Sequence, residues 1–231
     1  MTRIILASKS PRRAELLSRM GYAFEVCDAK IDESAILAGI MTRYLGMGAS
    51  NMGGLNGNLG SPTAPLVPSI PLMYLIAEET VRVLSQAKAS AVYEPLVASG
   101  SNQDIVVIGS DTVVVSAQQI LGKPVDAEDA KEMLITLSGQ THRVYTGVTV
   151  LAQGATETFV SYADVTFHAL DEIQMALIEK YVAGGSPMDK AGAYGIQDEG
   201  ALLIDAISGD YYAVVGLPIS PLYHVLTKYV Q

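Results

Sequence analysis

Ile4-Ile5-Leu6-Ala7-Ser8-Lys9-Ser10-Pro11-Arg12-Arg13-Ala14-Glu15-Leu16-Leu17 is the stretch from which the fold can be read. Its apolar start, residues 4–7, has the length and character of a buried strand. Ser8-Lys9-Ser10 breaks that run. Ser10 followed by Pro11 marks a helix start, because proline lacks the N–H that would go unpaired at the first helical position. Ala14, Leu16, Leu17 and Met20 continue the helix, and Gly21 ends it. A strand that runs directly into a helix predicts an α/β protein.

The rest of the chain extends this pattern. Residues 22–27, 105–108 and 113–115 read as further strands, and residues 126–137 and 171–182 as helices, with Asp126 as an N-cap. Residues 72–92 regain helical periodicity, with Leu75, Ile76, Val83, Leu84 and Ala87 expected inside. Residues 141–151 alternate and predict a long strand, with residues 159–167 as its partner. Residues 201–207 and 211–215 read as a hairpin around Ser208-Gly209-Asp210, and residues 218–229 as a closing helix. The expectation is a single domain over residues 1–231 with a mixed sheet. One piece differs. Residues from about 37 to 71 are crowded with Gly, Pro, Ser, Asn and Met and nearly lack charge, so they read as an inserted loop. Its apolar content leaves open packing against a partner subunit.

Composition narrows the function. A chain of 231 residues that is 49% hydrophobic can build a core without disulfides, and it holds only one cysteine, Cys27. Cys27 is expected to be a small buried residue, and the absence of pairing fits a reducing compartment. With a net charge of -9 and no basic run, a broad nucleic-acid footprint is not expected. No apolar stretch is long enough to span a membrane, and the amino terminus is too short for a secretory signal. The expected location is the cytoplasm.

Four segments carry candidate chemistry. In Ser8-Lys9-Ser10-Pro11-Arg12-Arg13, two arginines oppose the positive end of a helix dipole, a conflict that a bound phosphate removes. The bland alternative is a pair of solvated arginines. Gly109-Ser110-Asp111-Thr112 offers a carboxylate between apolar strands, suited to hold a metal or take a proton from water, or else a turn aspartate bonding its own backbone. Leu121-Gly122-Lys123-Pro124 restrains a lysine that could meet a phosphate. Met188 to Gln197 contains Lys190, two glycines that permit close approach, and Gln197, whose amide can read the edge of a base. Asp32-Glu33 could add a second metal carboxylate. His142, His168 and His224 show no metal-ligand spacing and read as structural or exposed.

Taken together, these blocks resemble the Maf family. Residues 6–17 resemble its amino-terminal signature, and Gly109-Ser110-Asp111-Thr112-Val113-Val114 its second motif. Gly122-Lys123-Pro124, residues 137–142, residues 189–197 and Val214-Val215-Gly216-Leu217-Pro218 match further blocks in order. The resemblance covers the chain apart from the insertion. It implies a Maf-like (anticodon-binding-like) α/β fold, a mixed twisted sheet with flanking helices in two lobes around a cleft. It also implies a homodimer, and hydrolysis of a nucleoside triphosphate between its α and β phosphates with a divalent metal, Mg first and Mn or Co as alternatives. By the same resemblance Asp111 is the catalytic acceptor, and Glu33 joins it at the metal. Ser8, Arg12, Arg13, Lys88, Lys123 and Lys190 are expected to bind substrate. Arg12, Thr112 and Gln197 stand at the positions that mark the dTTP/UTP subgroup. One departure is Ser186-Pro187, where the family block has glutamate before the proline.

Two other functions are carried forward. One is a house-cleaning pyrophosphatase for purine nucleotides such as ITP. The other is a nucleotide-binding regulator of septum formation that turns over no substrate.

Overall fold

The computed structural model describes residues 2–45, 70–100, 104–116 and 119–230. The chain opens as read above, with β1 (Arg3–Leu6) feeding α1 (Pro11–Ser18). It continues through β2 (Phe24–Val26), α2 (Glu33–Leu45), α3 (Ile70–Ala98), β3 (Ile105–Val115), β4 (Ile120–Leu121), α4 (Ala127–Leu137), β5 (Thr141–Ala152) and β6 (Ala155–Phe167). After α5 (Glu172–Ala183) come three short 3-10 turns, then β7 (Ile204–Gly209), α6 (Tyr211–Val215) and α7 (Ile219–Leu226). Among the described residues, seven strands form one sheet in the order β2-β1-β3-β5-β6-β7, with β4 beside β3. β1 lies parallel to β2 and β3, and every other pairing is antiparallel. This is the mixed α/β architecture that the sequence implies.

Both faces of the central strands are covered. On one face, Ile4, Leu6, Val106, Ile108, Val148 and Val150 pack on Leu16 and Leu17 of α1 and on Leu222 and Leu226 of α7. Farther along the same face, Val114, Val144, Val165 and Phe167 pack on Leu134 and Leu137 of α4 and on Ile178 and Tyr181 of α5. On the other face, α3 runs over β1, β3 and β5, placing Ala89 and Val92 against Ile5 and Val107, and Met73, Ala77 and Val81 against Val113 and Tyr145.

α3 lies unusually close to the sheet because the strands carry no side chain where it crosses. A Cβ on Gly109 would sit 2.1 Å from the Ser85 carbonyl oxygen, and one on Gly147 would sit 2.4 Å from that of Val81. A small-to-large change at such a contact moves backbone. Beside this crossing the Ser85 and Thr149 hydroxyls meet at 2.9 Å.

Several expectations change. The supposed loop from about residue 37 is helical as far as Leu45, and Ile70 and Pro71 already belong to α3. Residues 46–69 of the insertion lie outside the described residues. Residues 105–115 form one strand, not two around a turn, so Asp111 sits in mid-strand. Backbone pairing to β5 continues through Gly109-Ser110-Asp111-Thr112 and overrides their turn propensity. Residues 211–215 are helical, because the Asp210 carboxylate accepts from the Tyr212 N–H and Gly216 closes the turn at φ 111°. On α3 the expected Ile76 and Leu84 are buried, but Val83 and Ala87 are only half-buried, Leu75 is 57% exposed, and Met73, Ala77 and Val81 complete the inner face. Cys27 is exposed rather than buried, just beyond the end of β2. Among the described residues no helix is long and apolar enough to cross a membrane.

His142 is a buried structural residue. Its Nε2 lies 2.8 Å from the Tyr194 hydroxyl, its ring packs edge-on against Phe167, and its Nδ1 has no partner among the described residues. Burial drives its pKa down to about 4, against a smaller opposing pull from Asp164.

Two outcomes follow for stability. Gly147→Ala is expected to lower the unfolding free energy by about 1–3 kcal/mol, read by urea denaturation; an unchanged midpoint contradicts the close approach. In the unfolded chain His142 takes a proton near its ordinary pKa of 6.5, whereas in the folded chain it does so near 4. Stability should therefore fall as pH drops from 6.5 to 4, by at most about 1.4 kcal/mol per pH unit, and this component should vanish in His142→Gln.

Candidate active site

β3 changes partners along its length. Its first part pairs with β1 up to Leu6 opposite Ile108, and its last residues pair with β4, Val114 opposite Leu121. Among the described residues, 109–113 between them are paired on one side only, by β5. The sheet is split there, beyond the carboxyl end of β1, the place where open α/β sheets form crevices. A cavity of about 750 Å³ occupies the split. A smaller one of about 350 Å³ adjoins it and shares Arg12, Arg13, Glu33, Lys88 and Lys123 with it.

Strand alternation points Asp111 and Thr112 to opposite faces, so the cavity draws side chains from both. On the α3 face, the Lys88 ammonium lies 2.6 Å from Asp111 Oδ1 and 2.8 Å from Glu33 Oε1. Lys88 comes one helical turn after Ser85, where α3 rests on Gly109, and this places its stem over the strand. Glu33 stands at the start of α2, and Leu37 and Met41 follow it at four-residue spacing along the cavity wall. Burial pushes the Asp111 carboxyl above its ordinary value, while the charges of Lys88 and Arg13 pull it back down.

On the other face, α1 delivers Arg13. Its Nε donates to the Gly216 carbonyl at 2.8 Å, Nη1 to Ser8 Oγ at 3.2 Å and Nη2 to Thr112 Oγ1 at 3.0 Å. Burial is the largest influence on this guanidinium and lowers its pKa, partly offset by Asp111; an arginine nonetheless stays charged. Ser10 is the N-cap of α1, but its side chain makes no bond to the helix. Arg12 reaches across to Asp189, with Nη1 2.8 Å from Oδ2.

The residues named from the sequence come together except Asp32, which lines neither cavity and instead accepts from the Ala35 N–H in the first turn of α2. Arg12, Arg13, Glu33, Lys88, Asp111, Thr112, Lys123, Lys190 and Gln197 line the larger cavity, and Ser8 lines the smaller. Their states differ. Lys123 makes no hydrogen bond or ion pair among the described residues, so its ammonium is available. Lys190 is nearly buried, and its three donors meet the Ser186 carbonyl, Asp189 and Asp198. It braces the wall rather than offering a free cation. Gln197 is exposed at the rim. Asp189 as the partner of Arg12, Thr146 beneath Thr112, and the apolar wall of Leu37, Met41, Met73 and Ile76 escaped the sequence reading. The spacing of Glu33, Leu37 and Met41 was the one available signal, since it places all three on one helix face.

Asp111 and Glu33 are hard oxygen donors that converge on one point, and each keeps a second carboxylate oxygen outside the lysine contact. Among the described residues no group of three or more His, Cys, Asp or Glu could hold a metal ion. A divalent cation held by these two carboxylates alone would have to complete its shell from water and ligand oxygens.

Known sequences bear on this arrangement. The profile of the Maf-like protein family matches residues 3–47 and 64–229, leaving aside part of the insertion and two residues at each end. A dTTP/UTP pyrophosphatase of Bacillus thuringiensis subsp. konkukian is 40% identical over 229 residues, 99% of this chain and 96% of that relative. The Bacillus cereus AH820 enzyme of the same name is also 40% identical, with the same coverage.

Removing the shared ammonium should expose the cost of the two carboxylates. Lys88→Met is expected to lose roughly 3 kcal/mol of stability in urea melts. The loss should be larger at pH 8 than at pH 5. Without the ammonium the folded pKa of Asp111 rises further above the unfolded value, so stability drains away as pH climbs through it. A pH-independent loss would contradict the coupling.

Proposed function

This chain belongs to the Maf-like family, and from that premise we propose that it hydrolyses dTTP and UTP to the monophosphate and pyrophosphate. It is a nucleoside triphosphate pyrophosphatase, as its relatives are named. The observation that carries the reading is the convergence of Arg12, Arg13, Lys88 and Lys123 with one buried carboxylate, Asp111, on a single cavity. Cations that gather around a polyphosphate in a site of low dielectric supply the main term in phosphoryl transfer.

In this mechanism the triphosphate lies along the shared part of the two cavities. Arg13, already fixed by three bonds, holds phosphate oxygens with its remaining N–H groups. Lys123 and Arg12 add charge, and Arg12 trades part of its contact with exposed Asp189 for the substrate. Asp111 takes a proton from water as the water oxygen bonds to the α-phosphorus. The bond from that phosphorus to the bridging oxygen breaks, and pyrophosphate leaves with the electron pair. Burial raises the proton affinity of Asp111, which suits a base, while the Lys88 charge pulls the other way and favours the ionised form. A Mg²⁺ ion on Asp111 and Glu33 would neutralise phosphate charge. Base and metal ligand compete for the same carboxylate, and Glu33 gives the metal a second anchor.

The base edge is assigned to Gln197. Its amide can donate to a carbonyl and accept from the imide N–H that thymine and uracil share. Arg12 and Thr112 complete the discriminating set. The family resemblance supports a homodimer. The septum regulator drew on the insertion, most of which lies outside the described residues, and no described feature favours it.

One panel tests the reading. With Mg²⁺ the protein should release pyrophosphate from dTTP and UTP at least about tenfold faster than from ITP or 7-methyl-GTP. Asp111→Asn should lower kcat by about 10²–10⁴-fold with the fold intact by circular dichroism. Equal turnover of ITP refutes the pyrimidine assignment, and wild-type turnover by Asp111→Asn refutes the base.

A further inference from the structure

Below Thr112 lies a second threonine, Thr146 on β5, fully buried in the core and outside the cavity lining. Its Oγ1 is 2.6 Å from the Ala213 carbonyl oxygen and 2.9 Å from Thr112 Oγ1. A carbonyl only accepts, so the Thr146 hydroxyl proton points at Ala213. The remaining lone pairs of Thr146 then face Thr112, which must supply the proton of that contact. With its one proton committed, Thr112 turns lone pairs toward Arg13 Nη2 at 3.0 Å, a group that only donates. The chain of bonds has one direction, from Arg13 through Thr112 and Thr146 to the Ala213 backbone.

The surroundings tighten it. The Gly216 carbonyl accepts from both Arg13 Nε and Ser110 Oγ, at 2.8 and 3.0 Å. Gly216 has φ 111°, and a Cβ there would meet Thr112 Oγ1 at 3.3 Å and Arg13 Nε at 3.4 Å. The segment from Ala213 to Gly216 therefore receives both ends of the network.

We propose that Thr146 is a positioning residue for Arg13: by taking the proton of Thr112 it makes that hydroxyl an acceptor, and so fixes the guanidinium toward the phosphates. The proposal deepens the pyrophosphatase reading and rests on it for the role of Arg13. It also limits Thr112, which can accept a hydrogen bond from a base but has no proton to donate to one.

The test is a double-mutant cycle on the full chain with two readouts, steady-state dTTP hydrolysis and calorimetric binding of inorganic tripolyphosphate. Thr146→Val should lower kcat/KM about tenfold and weaken tripolyphosphate by a similar factor, since small misplacements of binding groups are costly. Thr146→Ser, which keeps the hydroxyl, should stay within about twofold of wild type, the difference expected when only a methyl is lost and the bond kept. In an Arg13→Gln background, Thr146→Val should add less than about twofold, because its partner is already gone. A full tenfold further loss there, or an unchanged wild-type-background variant, overturns the proposal. If the valine variant does not fold, Thr146→Ala carries the same cycle without pressing a methyl on the Ala213 carbonyl. A wild-type protein that binds tripolyphosphate but hydrolyses no nucleotide defeats the pyrophosphatase reading, while the binding arm still decides the role of Thr146.

Discussion

The contact between the backbone of α3 and the bare positions Gly109 and Gly147 governs the rest of the molecule. A helix normally rests on a sheet through two layers of side chains. Here it drops onto the strand backbone itself, and Lys88, one turn beyond the crossing, is brought to 2.6 Å from Asp111. At ordinary helix-to-sheet spacing that ammonium would stand in the cavity rather than against the carboxylate. The lysine must be near for a second reason. Asp111 is buried, and an ionised carboxylate in that setting is costly without a partner. Packing and electrostatics therefore impose the same demand on α3.

The split in the sheet supplies the other half of the constraint. A strand paired on both sides has no room for a ligand at its edge. β3 gains that room over residues 109–113 because β1 ends before them and β4 begins after them. The turn after β1 then carries Ser8 to Arg13 to one side of the gap, and the turn after β4 carries Lys123 to the other. Arg12, Arg13 and Lys123 come from sequence positions more than a hundred apart, yet they follow the ends of strands that border the same opening, while Lys88 is delivered by α3.

Much of this was legible in the sequence, and the reason is local. Strand, serine-proline start and paired arginines fit within fourteen residues, so short-range rules sufficed for β1 and α1. The ordered family blocks pointed to Asp111, Lys123 and Gln197 together, although each segment alone had an ordinary alternative. What escaped was decided at longer range. Residues 109–112 look like a turn, and only β5 alongside makes them strand. Residues 211–215 look like strand, and the Asp210 cap and Gly216 make them helix. Glycine-rich composition concealed the helical four-residue spacing at Glu33, Leu37 and Met41. Thr146 read as one more alternating position in a core strand, because nothing in β5 announces that its hydroxyl meets a carbonyl from residue 213.

The cations of the cavity differ in how ready they are, and the difference gives substrate binding an order. Arg13 is fixed in advance by three bonds to neutral oxygens, so it can meet an anion without breaking an ion pair. Lys123 is uncommitted among the described residues and can swing onto a phosphate, though it must give up rotational freedom to do so. Arg12 and Lys88 are already paired with carboxylates, Arg12 with exposed Asp189 and Lys88 with Glu33 and buried Asp111. An incoming polyphosphate gains little by competing with a buried carboxylate and more by competing with a solvated one, since the exposed pair is worth least to begin with. On the proposed function, Arg13 and Lys123 would be the first anchors and Arg12 a secondary one. Lys88, held by two carboxylates, would be the last of the four to be drawn toward the phosphates.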